Sequence, residues 1–446
     1  MKTIAAISSP IGAGGIGIVR VSGNDALAIA DAIFNFGKDT RLRPREERVV
    51  QNWEPLKLNF GTFVAADFCD IGYAAYFPAE KAYTGEDTVE FYLHGGVRIM
   101  QGALNALIES GASLAEHGEF TKRAFLAGRL SLADAEGVID MINADSAAGL
   151  RAAYRLMDGK VAKAITAISD DLGEIIAGLE ATLDYPEETE DEVLPSLEKS
   201  IEECIGKVNE LLSSASQGRI AKHGINVVLA GDVNAGKSSL MNAMLKDERA
   251  IVADIAGTTR DTVEDSLECD GVRINLVDTA GIRESGDIIE VKGVERAKRA
   301  VESADLILHV IDRNCGINDG LEFYGKRVFT VFNKCDLAGF AIPRIAYAFA
   351  VSAKTGEGVD SLVRAIAALY RENSVAGGEI LTNERHISAL TEARRALESA
   401  LSGLNFTADC TLIDLRQAYD SLGQITGKTA TEDIIDAIFS KFCVGK

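Results

Sequence analysis

The sequence predicts a multidomain chain of mixed α+β and α/β class. An N-terminal α+β domain is followed by a helical domain and a mostly parallel, doubly wound α/β domain. Three observations carry this reading. Short β-type runs mix with small helices up to about residue 118, a helical hydrophobic period runs from about 120 to 215, and apolar strands alternate with helices from 224 to 372. A length of 446 residues suits two to four domains.

In chain order, Ile4-Ala5-Ala6-Ile7 and Gly17 to Val21 have strand character, and Val97 to Ile108 a helical period. Val161, Ile165, Ile168, Leu172, Ile175, Leu179 and Leu183 recur at steps of four and three, which predicts a long amphipathic helix ending near Asp184-Tyr185-Pro186. The acidic run Glu187 to Glu192 reads as a solvated inter-helix loop in preference to a metal cage. Strands are expected at Asn226 to Leu229, Val272 to Val277, Leu306 to Ile311, Val328 to Phe332 and Ala346 to Val351. Helical period then returns with Leu412, Leu415, Tyr419 and Leu422, and again with Ile435, Ile438 and Phe442. The simplest arrangement packs this last segment on the 120 to 215 helices, so that the α/β domain is an insertion in a helical one.

Composition excludes several classes. Hydrophobic and charged contents of 47% and 25% rule out long disorder and collagen-like repeats. Seven scattered cysteines with no CxxC pair argue for a reducing compartment and against a disulfide framework or zinc site. Apolar runs such as Leu306 to Ile311 fall far below the roughly 18 residues of a membrane span, and the early Pro10, Gly12, Gly14 and Gly15 do not suit a secretory signal. A cytoplasmic enzyme is the expectation. A net charge of −21 disfavours a broad nonspecific nucleic-acid surface, while leaving room for a local basic patch.

The chemistry-bearing motifs stand at strand ends. Gly231-Asp232-Val233-Asn234-Ala235-Gly236-Lys237-Ser238 matches GxxxxGKS directly after a predicted strand. Backbone N–H groups of such a loop cradle phosphate oxygens, Lys237 reaches the terminal phosphates and the Ser238 hydroxyl can ligate magnesium. Asp278-Thr279-Ala280-Gly281 ends a second strand, placing a carboxylate near the magnesium shell. Asn333-Lys334-Cys335-Asp336 ends a third, where Asp336 can accept two hydrogen bonds from guanine, and Ser352-Ala353-Lys354 fits a loop backing the base. Ile282 stands where Ras-like proteins carry a water-orienting glutamine. Hydrolysis therefore needs another polar group, for which Glu284, Asp287 and Glu290 are available, with Arg260 and Arg283 as candidate cations. Asn234 is either a monovalent-cation ligand or simply a loop residue.

At the chain ends two motifs need weighing. Gly12 to Gly17 matches GxGxxG, but Ile18 to Val21 continues as a strand where a dinucleotide fold requires a helix, so a glycine-rich strand connection is expected. Phe442-Cys443-Val444-Gly445-Lys446 reads as a short mobile tail with a lone thiol, near no evident base except Lys441 and Lys446. Its last residues are a poor prenylation signal.

Together the segments TIAAISSPIGAGGIGIVRVSG, YTGEDTVEFYLHGG and GEFTKRAFLAGRLSLADAE, the inserted motifs with AGTTRD, and the terminal FCVGK closely resemble the MnmE (TrmE) family of tRNA modification GTPases over essentially the whole chain. The resemblance implies a tetrahydrofolate-binding and dimerisation domain at 1–118, a helical domain at 119–218 and 375–446, and an inserted Ras-like P-loop GTPase domain at 219–374. It implies a cytoplasmic homodimer, without membrane attachment, that works with an FAD-dependent MnmG (GidA) partner in a heterotetramer or larger complex. Such proteins add a carboxymethylaminomethyl or aminomethyl group to carbon five of the wobble uridine of certain tRNAs, using a folate one-carbon unit and GTP hydrolysis.

Carried onto this chain, the resemblance implies a GTP site of Asn234, Ala235, Gly236, Lys237, Ser238, Ser239, the segment Ala253, Asp254, Ile255, Ala256, Gly257, Thr258 and Thr259, then Asp278, Thr279, Ala280, Gly281, Asn333, Lys334, Asp336, Ser352, Ala353 and Lys354. Ser238 and Thr259 resemble the magnesium ligands. Asn234, Thr258 and the carbonyls of Ala253 and Ile255 resemble a potassium site, which favours the cation reading of Asn234. Glu290 resembles the glutamate that positions attacking water, and Cys443 the cysteine required for modification. Arg20, Glu90, Arg129 and Lys446 resemble contacts to 5-formyltetrahydrofolate or a related folate. The alternatives are a GTP-switched RNA-binding or ribosome-assembly factor without modification chemistry, and a folate-binding scaffold in which GTP only regulates assembly.

Overall fold

The computed structural model describes the chain except for residues 42–50, 185, 233, 247–264, 279–299, 313–324, 338–344, 373–380 and 405–407. Its contacts divide into two compact units. One comprises Met1–Ile139, Leu156–Cys204 and Glu392–Lys446, the other Asp140–Arg155 and Ile205–Thr391.

The first unit is built on a sheet of β1 (Ile4–Ile7), β2 (Gly14–Ser22), β3 (Phe34–Phe36), β4 (Leu58–Val64), β5 (Cys69–Phe77), β6 (Thr88–Gly95) and β7 (Ser113–Leu114), in the order β3-β4-β5-β6-β2-β1-β7. Neighbours are antiparallel except for the β1–β7 pair. The glycine-rich segment opens β2 with a bulge between Gly14 and Gly17, so a strand stands where a dinucleotide-binding helix would start. Alternation then decides the faces. Val19, Val21, Phe91 and Leu93 are buried with Ile29, Met100 and Leu107 of the helices Ala26–Ile33 and Val97–Glu109. Arg20, Glu90 and Tyr92 project from the other face, and the β2–β6 register sets Arg20 directly opposite Glu90.

The predicted long helix is Lys160–Asp184, and Val161, Ile165, Ile168, Leu172, Ile175 and Leu179 form its buried stripe. Helix Ala408–Thr426 packs along it, burying Leu415, Leu422 and Ile425, with Arg416 Nη2 donating to Glu180 Oε1 at 2.6 Å. One expectation is corrected here. The acidic run Glu187–Glu192 is not a loop, because the backbone is helical from Pro186 to Ser213. Proline at the first helical position sacrifices no hydrogen bond, and acidic residues in a first turn suit the helix dipole.

The second unit holds a six-stranded sheet of β8 (Ile225–Ala230), β9 (Asp265–Cys269), β10 (Val272–Asp278), β11 (Leu306–Asp312), β12 (Val328–Asn333) and β13 (Ala348–Ala350), ordered β13-β12-β11-β8-β10-β9. All pairs are parallel except β9 with β10. Near-continuous apolar strands, with Val227, Leu229, Ile274, Leu308, Val310 and Val331 buried, are what a sheet covered on both faces requires. Helices Lys237–Leu245 and Val359–Glu372 contribute Leu240, Leu362 and Ile366 to the same core. Parallel order brings the C-terminal ends of β8, β10, β11 and β12 to one edge, where an α/β sheet places its ligand. Among the described residues, no helix is long and apolar enough to cross a membrane.

Candidate functional site

The phosphate loop leaves β8 after Ala230 and enters helix Lys237–Leu245 through Gly236, whose φ is 91°. A Cβ on Gly236 would lie 2.2 Å from Asn333 Nδ2, so both conformation and space demand glycine there. Lys237 is 7% exposed, and its ammonium curls back to donate to Gly231 O at 3.0 Å and Asp232 O at 2.9 Å. Ser238 Oγ donates to Asp278 Oδ2, joining the helix start to the end of β10. A hydroxyl and a carboxylate in contact are hard oxygen donors of the kind magnesium takes, so this pair fits the expected ion.

The base end is organised by Asn333, 2% exposed. Its Nδ2 donates to Ala235 O at 2.9 Å, and its Oδ1 accepts from Lys334 N at 2.8 Å and Ala353 N at 3.1 Å. One buried amide thus ties three loops together. Lys334 Nζ is fixed by Asp312 Oδ2 at 2.7 Å and Asn234 O at 3.2 Å, and Ser352 Oγ donates to Asp336 Oδ1 at 2.7 Å. A cavity of about 560 Å³ opens between these groups, lined by Gly236, Ser239, Asn242, Lys246, Asn333, Lys334, Asp336, Leu337, Ala353 and Lys354.

Asn234 is exposed and holds φ at 67°, a left-handed conformation that asparagine tolerates. Several expected positions lie outside the described residues: Ala253, Asp254, Ile255, Ala256, Gly257, Thr258, Thr259, Arg260, Thr279, Ala280, Gly281, Ile282, Arg283, Glu284, Asp287 and Glu290.

In the first unit, Arg20 and Glu90 form a half-buried ion pair, with Arg20 Nη2 2.7 Å and Nε 2.8 Å from Glu90 Oε1. Tyr92 Oη donates to Glu90 Oε2 at 2.6 Å. Burial, reinforced by that carboxylate, pushes the Tyr92 phenol well above its ordinary range. Arg20 also lies 5.4 Å over the Phe120 ring. Tyr83 Oη donates to Thr121 Oγ1 at 3.2 Å, and two residues on, Gly85 faces Arg129. Arg129 donates to Glu80 O at 2.9 Å and Ala79 O at 2.7 Å, which orients its guanidinium. Buried Arg123 binds Glu86 at 2.6 Å, Glu119 at 2.7 Å and Lys2 O at 2.8 Å. Burial alone would lower its pKa, but the Glu119 and Glu86 carboxylates raise it.

The terminal pentapeptide overturns another expectation. It is docked, with Phe442 only 2% exposed, Val444 bridged antiparallel to His117, and Gly445 seated on Ile7. His117 is therefore an imidazole beside the thiol segment, in addition to the lysines expected from sequence. Cys443 itself is exposed.

With this geometry in place, the comparisons with known proteins are decisive. The family described as "MnmE helical domain" matches residues 132–443, and that described as "GTP-binding protein TrmE N-terminus" matches residues 3–129. The chain belongs to the MnmE family of tRNA modification GTPases. The tRNA modification GTPase MnmE of Geobacillus thermodenitrificans is 39% identical, and that of Carboxydothermus hydrogenoformans 40%, each match covering 100% of this chain and 99% of the relative. Among solved structures, a point variant of Aquifex aeolicus Era bound to GDP·AlF4− is 28% identical over 38% of this chain and 65% of its own, at a TM-score of 0.27, an overlap too small to argue from.

In this MnmE-family chain, sequence reasoning missed Asn242, Lys246 and Leu337 in the cavity wall and Asp312 behind Lys334. Ser239, Asn242 and Lys246 share one helical face at steps of three and four, a signal that was available in the sequence. Tyr92 was equally legible, two residues from Glu90 on the same strand face, whereas Arg123 and His117 depend on partners distant in sequence.

Proposed function

We propose that this chain is a potassium-stimulated GTP hydrolase that, with an FAD-dependent MnmG-type partner, adds a carboxymethylaminomethyl or aminomethyl group to carbon five of the wobble uridine of certain tRNAs. The observation that carries the GTP reading is the cavity itself, which has the phosphate-loop helix at one end and Asp336, held by Ser352, at the other. A carboxylate in that position accepts from guanine's ring N–H and exocyclic amine, donors that adenine does not offer together.

Gly236, Lys237 and Ser239 bind phosphate, while Ser238 and Asp278 with Thr259 hold magnesium, which when bound neutralises charge on the phosphates. Asn234, Thr258 and the carbonyls of Ala253 and Ile255 hold potassium, and Glu290 positions the attacking water. Arg20, Glu90, Arg129 and Lys446 bind a tetrahydrofolate derivative such as the 5-formyl form. The Arg20–Glu90–Tyr92 cluster supports this, since it offers both cation and carboxylate to a heterocycle carrying carbonyl and amine groups. Cys443 serves the modification step, and the protein acts as a cytoplasmic homodimer within a complex with its partner and tRNA.

GTP turnover in matched potassium and sodium buffers, with wild type beside Asn234→Ala, tests the hydrolytic half. Potassium is expected to stimulate the wild type at least about tenfold and the variant hardly at all, about 1.4 kcal/mol of barrier. Equal rates in both salts would remove the cation from the mechanism. Glu290→Ala is expected to retain GTP affinity and lose most turnover, because a water-positioning group acts in the transition state.

A further inference from the structure

The Phe442–Lys446 segment is fixed at successive residues to the helix before it, to His117 and Gly118, and to the end of β1. Phe442 packs against Phe439 with ring centroids 5.4 Å apart and planes tilted by 37°, Cys443 O accepts from Gly118 N at 3.4 Å, and Val444 pairs with His117. Gly445, at φ 99°, lies so close to Ile7 that a Cβ would stand 2.1 Å from its carbonyl oxygen. A side chain completes the attachment, because His117 Nδ1 lies 2.8 Å from Phe442 O. A carbonyl oxygen only accepts, so Nδ1 carries the proton and the imidazole is the donor. His117 therefore grips both flanks of the thiol residue, Phe442 through its ring and Val444 through its backbone.

We propose that His117 is a positioning residue that holds Cys443 and Lys446 in register with the sheet bearing Arg20 and Glu90. This inference rests on the reading of Cys443 and Lys446 given under Proposed function. Its physical basis is preorganisation. A segment held by backbone contacts alone samples more conformations around Phe442, and fewer of them present the thiol and the ammonium together. The hydrogen bond ties the residue just before Cys443, beside the backbone contacts at Cys443, Val444 and Gly445, without touching the thiol. His117 belongs to the first unit and is not among the residues assigned to GTP, so hydrolysis is expected to be indifferent to it.

The experiment uses the full-length protein with its FAD-dependent partner and substrate tRNA. It compares wild type, His117→Leu, His117→Asn, Cys443→Ser and Lys446→Ala, reading wobble-modification kcat and KM, 5-formyltetrahydrofolate affinity and GTP turnover. His117→Leu, which lacks a donor, is expected to lower modification kcat about tenfold with little change in KM for tRNA, and to weaken folate affinity about fivefold. His117→Asn, whose amide N–H can reach the same carbonyl, is expected to recover to within about threefold of wild type. GTP turnover stays at the wild-type level in both, which reports that the second unit is intact, and the fluorescence of buried Trp53 reports that the first is folded. Wild-type modification and folate affinity in His117→Leu, or an asparagine variant no better than leucine, would overturn the proposal. Full modification by Cys443→Ser would instead defeat the underlying reading of the thiol, and folate affinity, through Lys446, would then decide the role of His117 alone.

Discussion

Asp336 accepts the Ser352 hydroxyl at 2.7 Å on Oδ1, which orients the carboxylate while leaving lone pairs directed into the cavity. Asp336→Asn places an amide donor against the donors of guanine. GTP affinity is expected to fall about 100-fold while xanthosine triphosphate, with a carbonyl in place of the exocyclic amine, gains, as a competition assay would read. Tyr92 poses a different test. Its phenol ionises in the unfolded chain near the ordinary value of 10.0, but burial and the Glu90 carboxylate keep it protonated in the fold. The unfolded state therefore releases a proton first as pH rises, so this contribution to stability is complete below about 10 and is lost above it. Urea unfolding at pH 8 and 11, followed by the fluorescence of the single tryptophan, buried Trp53, is expected to show a smaller loss for Tyr92→Phe than for wild type.

The elements of the second unit were legible because the motifs after β8, β10 and β12 each follow a largely buried apolar run of strand length. Gly236 shows how strictly such a join is built. Gly236→Ala would force a Cβ onto Asn333 Nδ2 and a left-handed φ onto alanine, at about 1–2 kcal/mol for the backbone alone. GTP affinity is expected to drop at least about tenfold by calorimetry, with the sheet intact. Strand β9 escaped notice because Asp265-Ser266-Leu267-Glu268-Cys269 is short, polar and antiparallel, unlike its neighbours. The helix over Glu187–Glu192 was hidden by charge, since six consecutive polar residues carry no hydrophobic period even when Pro186 starts a helix. The docked tail was illegible for another reason: the His117 to Phe442 contact spans 325 residues, and nothing local to Cys443 announces it.

At the scale of the whole molecule, the candidate residues fall into two constellations, one in each compact unit. Single motifs revealed the nucleotide constellation, because its residues sit at the ends of consecutive parallel strands. The Arg20–Glu90 pair was legible only through family resemblance, since a register between strands 70 residues apart cannot be read from either alone. Charge gives a further expectation. A net −21 repels a polyanion, so filter binding is expected to show this protein alone holding tRNA at least about tenfold more weakly than a complex with the proposed FAD-dependent partner. Equal affinity would place the tRNA surface on this chain.

The same acidity bears on colloidal behaviour through β9. It is the edge of its sheet among the described residues, and an open edge offers unpaired backbone groups to any passing strand. Asp265 and Glu268 line that edge with like charge, and two such edges meeting would set carboxylates against carboxylates. The feature that hid β9 from a hydrophobicity-based reading thus sets like charge where a second sheet edge would have to pair.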